Sequence, residues 1–293
     1  MLSMKVLLTG AAGQVGRALQ ASKPADVELR ALSRQELDIS DEAAVNRVVG
    51  DFAPQVLINA AAYTAVDKAE SEEPTARKIN VDGPHFLTCA VRDISGARII
   101  HVSTDYVFGG QGTSPHQPGD PTGPLSAYGR SKLLGEVEVL GLLPGRAIVL
   151  RTAWIYAAEG KNFLLTMLRL MKERGEVKVV ADQRGAPTCA NSVARAIWRA
   201  VESPDIHGIL HWTDEGIASW YEFACAIAED ALAAGQLTRE TRVIPIRTVD
   251  YPTPAVRPLN SVLDLTTTVQ RLGLNPVPWR ENLRTTLRTL SPH

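Results

Sequence analysis

The sequence predicts an α/β protein with a doubly wound parallel sheet and a smaller mixed α/β region at its carboxyl end. Three observations lead to this prediction. Short apolar runs of strand length alternate with helical patterns, a glycine-rich turn joins the first run to the first helix, and the alternation becomes irregular after residue 155. The 293 residues are enough to bury one large core or two modest ones.

Six runs have the length and apolar content of strands, and the first five, which alternate with helical patterns, predict the parallel sheet. They cover residues 6–8, 27–32, 55–60, 98–102, 146–151 and 177–180. A first helix begins near Val15, and the other predicted helices cover residues 42–51, 67–94, 127–142, 162–174, 192–201, 219–234 and 279–290. Residues 109–124, rich in glycine and proline, predict a long surface loop that is a candidate lid.

The turn after the first strand carries Gly10, Gly13 and Gly16, and a helix follows at once. This order of strand, glycine turn and helix is the context that a dinucleotide site requires. The first glycine permits the tight turn, the second lets the backbone approach a pyrophosphate, and the third allows close packing. The helix start at Gln14 and Val15 would face the phosphates. The alternative is a glycine-rich turn without a ligand.

The turn therefore predicts a Rossmann-type nucleotide-binding domain in residues 1–155, to which later segments return. Residues 156–293 would mainly bind the substrate, over the carboxyl ends of the strands.

The end of the second strand bears on the choice of cofactor. It carries Ser33 and Arg34 rather than the acidic residue that would bind a ribose 2′-hydroxyl. A hydroxyl and a guanidinium suit a 2′-phosphate, so we expect NADPH, with NADH still possible. Arg34 as a solvated loop residue is the alternative. Asp38 could face the adenine, although capping of the next helix by Ser40 or Asp41 is the favoured role of this polar cluster.

Tyr128 and Lys132 are four residues apart in a predicted helix and so share one face. A fixed cation favours the phenolate and would bring the pKa of the tyrosine down from about 10 towards neutrality. Thr104 follows a predicted central strand, where its hydroxyl could bind the same substrate oxygen that Tyr128 protonates. The three residues predict proton delivery to a carbonyl that also receives a hydride.

Composition argues against several classes of protein. The net charge of −1 gives no basic track for nucleic acid or a membrane surface. Cys89, Cys189 and Cys225 are far apart and odd in number, so neither zinc nor a disulfide framework is predicted. With no long apolar segment at the N-terminus, we expect a cytoplasmic protein.

Several longer segments carry a family resemblance. The chain resembles the extended short-chain dehydrogenases/reductases and, among them, the reductases that complete dTDP-L-rhamnose synthesis. The matching segments are residues 9–16, 59–70, 103–108, 128–132, 151–156, 182–188 and 252–258. The resemblance implies NADPH-dependent reduction of the C4 carbonyl of dTDP-4-dehydro-6-deoxy-L-mannose, which supplies cell-surface polysaccharides. Asp105 is followed by Tyr106 rather than by a second acid, which favours reduction over dehydration.

The resemblance also implies residue roles. Tyr128 would donate the proton, Lys132 would lower its pKa and bind the nicotinamide ribose, and Thr104 would orient the C4 carbonyl. Asp105 and Trp154 would contact the deoxysugar and Arg257 the nucleotide end, although Trp154 could be a packing residue and Arg257 could serve its proline-rich loop. The expected cofactor-lining residues also include Ile39, Ala61, Ala62, Tyr63 and Thr64.

Metal binding and assembly are the points at which the chain departs from this pattern. Some members of the family bridge a dimer with Mg²⁺ through glutamates, one of them just past the glycine turn. Here Arg17, Ala18 and Leu19 stand in that region, and the tail 291–293 has no acid, so we predict no metal site. We expect a monomer or a homodimer.

Two alternatives to this activity stay open. One is a non-catalytic regulatory subunit of the methionine adenosyltransferase type, against which the presence of Thr104, Tyr128 and Lys132 argues. The other is a reductase of a different nucleotide deoxysugar.

Overall fold

The computed structural model describes residues 3–290, so the tail at 291–293 lies outside the described residues. The strands are β1 (Met4–Thr9), β2 (Val27–Leu32), β3 (Val56–Asn59), β4 (Arg98–Thr104), β5 (Ala147–Thr152), β6 (Ile155–Tyr156), β7 (Glu176–Val180), β8 (Arg184–Gly185), β9 (Thr188–Cys189), β10 (Gly208–His211), β11 (Ala218–Ser219) and β12 (Arg242–Ile246). The helices are α1 (Gln14–Ala21), α2 (Glu42–Phe52), α3 (Val66–Ala69), α4 (Glu73–Arg77), α5 (Gly83–Arg92), α6 (Ala127–Leu142), α7 (Phe163–Glu173), α8 (Ala190–Val201), α9 (Trp220–Ala233), α10 (Thr266–Leu272) and α11 (Trp279–Thr289).

The central sheet has six parallel strands in the order β10-β5-β4-β3-β1-β2. This confirms the doubly wound parallel sheet. The chain leaves β1 towards β2 on one side and returns to β3 on the other, so the order reverses between β1 and β3. Ligands of open α/β sheets bind outside the carboxyl ends of the strands at such a reversal. Strand β10, which we did not predict, is only four residues long and ends in His211.

Apolar side chains cover both faces of the sheet. On one face α1 and α8 pack against residues such as Val6, Ile100 and Leu150. On the other face α2, α5 and α6 pack against residues such as Leu7 and Val149. A third core lies outside the sheet and joins α7, α9 and α11 to β7 and β12. Every residue of this third core lies after residue 155, in the stretch predicted to bind the substrate.

The stretch predicted as helical over residues 67–94 is helical over most of its length, but it is not one continuous α-helix. It consists of α3, α4, a π-helical turn at Lys78–Asp82, and α5. The prolines Pro74 and Pro84 each lie at the start of a new helical segment, where a missing N–H costs nothing. Within the π turn, the Asn80 side chain binds both the N–H and the carbonyl of Tyr63. The interruption therefore anchors the segment that follows β3.

The loop predicted at residues 109–124 is present, but it is pinned to the C-terminal region. The His116 N–H donates to the Val262 carbonyl, and the His116 carbonyl accepts from the Asp264 N–H. The His116 ring also stacks on Phe108, with ring centroids 4.3 Å apart. No residue of this fully described loop lines the main cavity introduced below. No helix within residues 3–290 is both long and apolar enough to cross a membrane.

Candidate active site

A cavity of about 480 Å³ opens where the carboxyl ends of β1, β3, β4 and β5 meet, and we call it the main cavity. A smaller cavity of about 180 Å³ adjoins it at Gly13, Ala60 and Ala62. Both lie at the reversal of strand order. The sheet thus places one continuous cleft at the position that the glycine turn predicts.

The glycines of this turn allow close approach of backbone segments. Gly10 has φ of +75°, and a Cβ there would lie 2.5 Å from the Ala61 nitrogen. A Cβ at Gly16 would lie 2.2 Å from the Gly10 carbonyl oxygen, so a side chain would separate α1 from the turn. Helix α1 begins after the extended Gly13 without a side-chain cap. Its first N–H groups and its positive end therefore face the cleft.

The predicted cofactor residues divide between the two cavities. The main cavity is lined by Gly13, Gln14, Val15, Ala62, Thr64, Tyr128 and Lys132. The smaller cavity is lined by Gly10, Gly13, Arg34, Asp38, Ile39, Ala61 and Ala62. Gly16 packs behind the turn instead. Ser33 and Tyr63 lie outside both linings, and their backbone N–H groups donate to Glu36 and Asn80 respectively.

The polar cluster after β2 caps the next helix and also contributes a carboxylate to the smaller cavity. Asp41 is the N-cap of α2, since its carboxylate accepts from the Ala44 N–H at 3.0 Å. Asp38 lines the smaller cavity, and its carboxylate accepts from both the N–H and the hydroxyl of Ser40. The Arg34 side chain is 75 % exposed, with its guanidinium 4.0 Å from Asp38. The guanidinium is therefore available to an anion at the mouth of this cavity.

The sheet and helix α6 bring together the three predicted catalytic residues. Thr104 ends β4, and Tyr128 and Lys132 lie on successive turns of α6. Ser126 caps this helix by accepting from the Gly129 N–H. A Cβ at Gly129 would lie 2.3 Å from the Tyr106 carbonyl oxygen, so glycine lets α6 approach the end of β4. All three side chains line the main cavity.

The protonation of Tyr128 differs from the sequence prediction. Burial raises the pKa of Tyr128 to about 12, the Thr104 hydroxyl acts in the opposite direction, and the charge of Asp105 raises the pKa further. The Lys132 ammonium donates instead to the Val102 carbonyl at 2.8 Å. Burial lowers the pKa of Lys132 to about 8, against the opposing effect of Glu136. The protein alone therefore holds Tyr128 as a neutral phenol, and Lys132 does not offset the cost of burying its charge.

Asp105 lines the main cavity and is almost fully buried. Its Oδ1 accepts from the Thr104 hydroxyl at 2.9 Å, whereas its buried Oδ2 has no partner among the described residues. The side chain is only 2 % exposed, and burial raises the pKa of Asp105 to about 6. A buried carboxyl oxygen of this kind gains free energy when a hydroxyl donates to it.

Trp154 is both a packing residue and a wall of the main cavity. Its backbone has φ of +48°, and its ring stacks on Trp220 with centroids 3.6 Å apart. A Cβ at Gly185 would lie 2.5 Å from the Trp154 ring, so this glycine makes room for the stack. Trp220 in turn lines a third cavity of about 380 Å³. The tryptophan pair therefore stands between two cavities.

Arg257 lies in the third cavity, not in the main one. Its two terminal nitrogens bind the two carboxylate oxygens of Asp67 at 3.0 and 2.7 Å. The same guanidinium also donates to the Ala255 carbonyl. Arg257 therefore serves its own loop and also lines a cavity, while its contact with the nucleotide end stays a prediction. Lys178 and Gln183 also line this cavity. Gln183 lies in the family-matching segment 182–188 but has no predicted role, and no sequence signal marks Lys178.

The described residues give no support to a metal site. Within residues 3–290, no three His, Cys, Asp or Glu side chains gather in a group that could hold a metal ion.

The fold and the site together define an oxidoreductase of the short-chain dehydrogenase/reductase class. A parallel sheet, a glycine turn at its switch point, and a Tyr/Lys pair beside a strand-end threonine meet in one cleft. The chain belongs to the family described as "RmlD substrate binding domain", whose sequence profile matches residues 4–291.

Named relatives extend over nearly the whole chain. A dTDP-4-dehydrorhamnose reductase of Burkholderia thailandensis is 43% identical, over 94% of this chain and 96% of its own length. The crystal structure of a dTDP-4-dehydrorhamnose reductase from Clostridium acetobutylicum aligns with a TM-score of 0.91 at 40% identity, covering 97% of this chain and 98% of that one. The enzyme of the same name from Bacillus anthracis, in complex with NADP, also aligns with a TM-score of 0.91, at 34% identity and the same coverage.

Proposed function

We propose that this protein reduces the C4 carbonyl of dTDP-4-dehydro-6-deoxy-L-mannose with NADPH and forms dTDP-L-rhamnose. The observation that carries this proposal is the convergence of Thr104, Tyr128 and Lys132 in one cleft with the glycine turn. The relatives named dTDP-4-dehydrorhamnose reductase support the substrate, and the NADP complex of one of them supports the cofactor. The same names argue against a regulatory subunit.

The cleft fits an extended dinucleotide. The smaller cavity would hold the adenosine part, with Arg34 at its mouth for a 2′-phosphate, and the start of α1 would bind the pyrophosphate. The main cavity would hold the nicotinamide part beside Lys132. When bound there, the dinucleotide would supply the hydride for reduction of the carbonyl. NADH also fits the cleft, and Arg34 is the group that would favour NADPH.

Tyr128 would deliver the proton. Its hydroxyl is held as a neutral phenol by burial, and so it has a proton to give when charge develops on the carbonyl oxygen. The Thr104 hydroxyl would bind that same oxygen and fix its position. The Lys132 ammonium, about one helical turn away on the same face of α6, would stabilise the phenolate left behind. This assignment needs no metal ion.

The remaining substrate would extend from the main cavity towards the third one. Asp105 Oδ2 would accept from a sugar hydroxyl, and Trp154 would form the wall beside the ring. The nucleotide end would reach the third cavity, where Arg257 can make charge-assisted hydrogen bonds to a pyrophosphate. The Trp154–Trp220 stack would separate the two parts of the substrate.

The purified protein, the dTDP-4-keto sugar and either NADPH or NADH provide the test. We expect loss of the reduced-nicotinamide absorbance, faster with NADPH, and NMR of the product should show dTDP-L-rhamnose. A matched assay with the corresponding UDP-4-keto sugar tests the nucleotide. No turnover with the dTDP substrate, or a product epimeric at C4, would contradict the proposal.

A further inference from the structure

A buried chain of hydrogen-bonding groups lies behind the main cavity and ends at Lys132. Asn59 Nδ2 is 3.0 Å from His101 Nδ1, and His101 Nε2 is 3.2 Å from Lys132 Nζ. The three residues are 0 %, 0 % and 1 % exposed. The His101 ring is thus enclosed between an amide and an amine. The proton of a neutral ring is on either Nδ1, which faces Asn59, or Nε2, which faces Lys132.

The orientation of the Asn59 amide is fixed from the far side. Its Oδ1 accepts from the Ala61 backbone N–H at 3.1 Å and from the Thr9 hydroxyl at 2.7 Å. A backbone N–H can only donate, so the atom facing it must be the amide oxygen. The NH₂ group of Asn59 must then face His101.

This orientation decides the tautomer of His101. The Asn59 NH₂ donates, so His101 Nδ1 must accept and cannot carry the proton. Burial and the neighbouring Lys132 charge lower the pKa of His101 well below its usual value, so the ring is neutral. Its single proton is then on Nε2 and points at Lys132 Nζ, a second group that normally only donates.

We infer that His101 is a positioning residue that presents an N–H to Lys132 and thereby favours the neutral amine of this lysine over the ammonium. The amine has a lone pair that can accept from Nε2–H while it donates to the Val102 carbonyl. The ammonium has no lone pair and would face the N–H without a bond. This inference rests on the proposed function only in giving Lys132 a part in turnover.

The other charged groups around Lys132 are engaged elsewhere. On α6, Glu136 accepts from the buried Arg151 guanidinium of β5 and from the Ser103 hydroxyl of β4. Tyr128, on the same helix, is a neutral phenol, and Asp105 follows β4 on the cavity side. The Lys132 amine itself bonds to Val102 and His101. The lowered pKa of Lys132, about 8, agrees with this arrangement.

For turnover, we expect an upper pH limit that is set by the deprotonation of Lys132. Below about pH 8 Lys132 carries the charge that stabilises the phenolate of Tyr128, and above it the amine is neutral. Turnover should therefore fall as the pH rises through this value. If His101 no longer presents an N–H to Lys132, or presents an acceptor instead, the pH at which turnover falls should rise.

The tautomer can be read directly without any substrate. In protein labelled with ¹⁵N-histidine, long-range ¹H–¹⁵N correlations should show His101 as the neutral Nε2–H form, assigned by comparison with His101→Gln. The ¹³Cε shift of Lys132, assigned by comparison with Lys132→Met, should titrate near pH 8. An Nδ1–H tautomer in the parent protein would overturn the inference, even if the reductase activity is as proposed. An inactive protein with the Nε2–H form would instead contradict the proposed function.

Asn59→Asp should reverse the direction of the hydrogen bonds from residue 59 through His101 to Lys132, because it replaces the amide NH₂ with an oxygen. A carboxylate can only accept, so Nδ1 takes the proton and Nε2 becomes an acceptor for the ammonium. We expect both the Lys132 titration and the alkaline fall of kcat to rise by about one pH unit, the effect of one hydrogen bond gained by the charged form. Thr9→Val is the matched control, because it removes one bond to Asn59 but leaves the Ala61 N–H to fix the amide.

His101→Gln provides a second route if the buried carboxylate prevents folding. Its amide can turn an oxygen towards Lys132 Nζ, and so it should also raise the alkaline limit. Unchanged limits in whichever of the two variants folds, or an equal shift in Thr9→Val, would overturn the inference, because a purely structural role of His101 would alter stability without moving the titration of Lys132.

Discussion

The catalytic end of the main cavity and the arginine-lined third cavity differ in how their polar groups are held. At the catalytic end, Thr104, Tyr128 and Lys132 come from one strand and one helix and are almost fully buried. In the third cavity, Arg257 belongs to an irregular segment and is held by Asp67, 190 residues away in the chain. The Asp67–Arg257 pair is also partly exposed, at 39 % and 22 % of the side chains.

This difference indicates what each region contributes to function. Rigid elements and burial fix the protonation states at the catalytic end, where a small displacement would cost turnover. The third cavity is lined largely by α7 and β7, but its Arg257 is held by an irregular segment and a part-exposed ion pair, so a change at this residue should alter affinity more than rate. The Trp154–Trp220 stack lies at the boundary between them. Four substitutions test this comparison, from the largest expected effect to the smallest.

Tyr128→Phe should lower kcat by about 10²–10⁴-fold, because it removes the proposed proton donor while keeping the buried ring. Dinucleotide affinity, measured by fluorescence titration, should stay within a factor of two or so of the parent value, since the hydroxyl delivers a proton rather than holding the cofactor. Tyr221→Phe, in the third core region, is the control and should retain full activity. If Tyr128→Phe turns over substrate as fast as the parent protein, then Tyr128 does not control rate and the main cavity does not differ from the third cavity in this respect.

Asp105→Asn should flatten the dependence of stability on pH. Burial raises the pKa of Asp105 from 3.8 to about 6, so between these values the folded protein keeps a proton that the unfolded chain has lost. The free energy of unfolding should therefore fall as pH rises through this window, by up to about 3 kcal/mol from this group.

Urea unfolding at pH 4, 5, 6 and 7 checks this for Asp105→Asn, with Asp26→Asn as an exposed control. If the free energy of unfolding of the Asp105 variant depends on pH as steeply as that of the parent, then the pKa of Asp105 is not raised by burial.

Gly185→Ala tests the boundary between the cavities. The added Cβ would lie 2.5 Å from the Trp154 ring, so the stack on Trp220 must shift. Overpacking of this kind costs about 1–3 kcal/mol. We expect a lower melting temperature together with a raised KM for the dTDP sugar. Gly175→Ala is the control, because a Cβ there meets nothing within 4 Å; equal effects of the two would show that the stack does not shape the site.

Arg257→Gln should have the smallest effect on the fold and a selective effect on binding. The pair with Asp67 is part-exposed, so the free energy of unfolding should change by less than about 1 kcal/mol. KM for the dTDP sugar should rise roughly tenfold, about 1.4 kcal/mol of binding, with kcat nearly unchanged. Arg247→Gln removes a neighbouring exposed pair with Asp250 and should leave both constants unchanged. A fall in kcat instead of a rise in KM would place Arg257 in the catalytic region.

The sequence alone determined the class of fold and predicted the three residues of the proposed catalytic end, because both depend on short-range patterns. Residues close together in the sequence determine a strand, a turn or a helix face. The glycine turn, the end of β4 at Thr104 and the spacing of Tyr128 and Lys132 could therefore be predicted. The division of the chain at residue 155 stays a prediction.

Only the tertiary structure decided the pairing of Asp67 with Arg257, the Trp154–Trp220 stack and the break in the predicted helix at 67–94. It also decided the protonation states, since burial acts on the pKa of Tyr128 and Lys132 in directions that spacing cannot reveal. Contacts between distant segments and the loss of water around a side chain arise from the packed fold, and no local pattern records them.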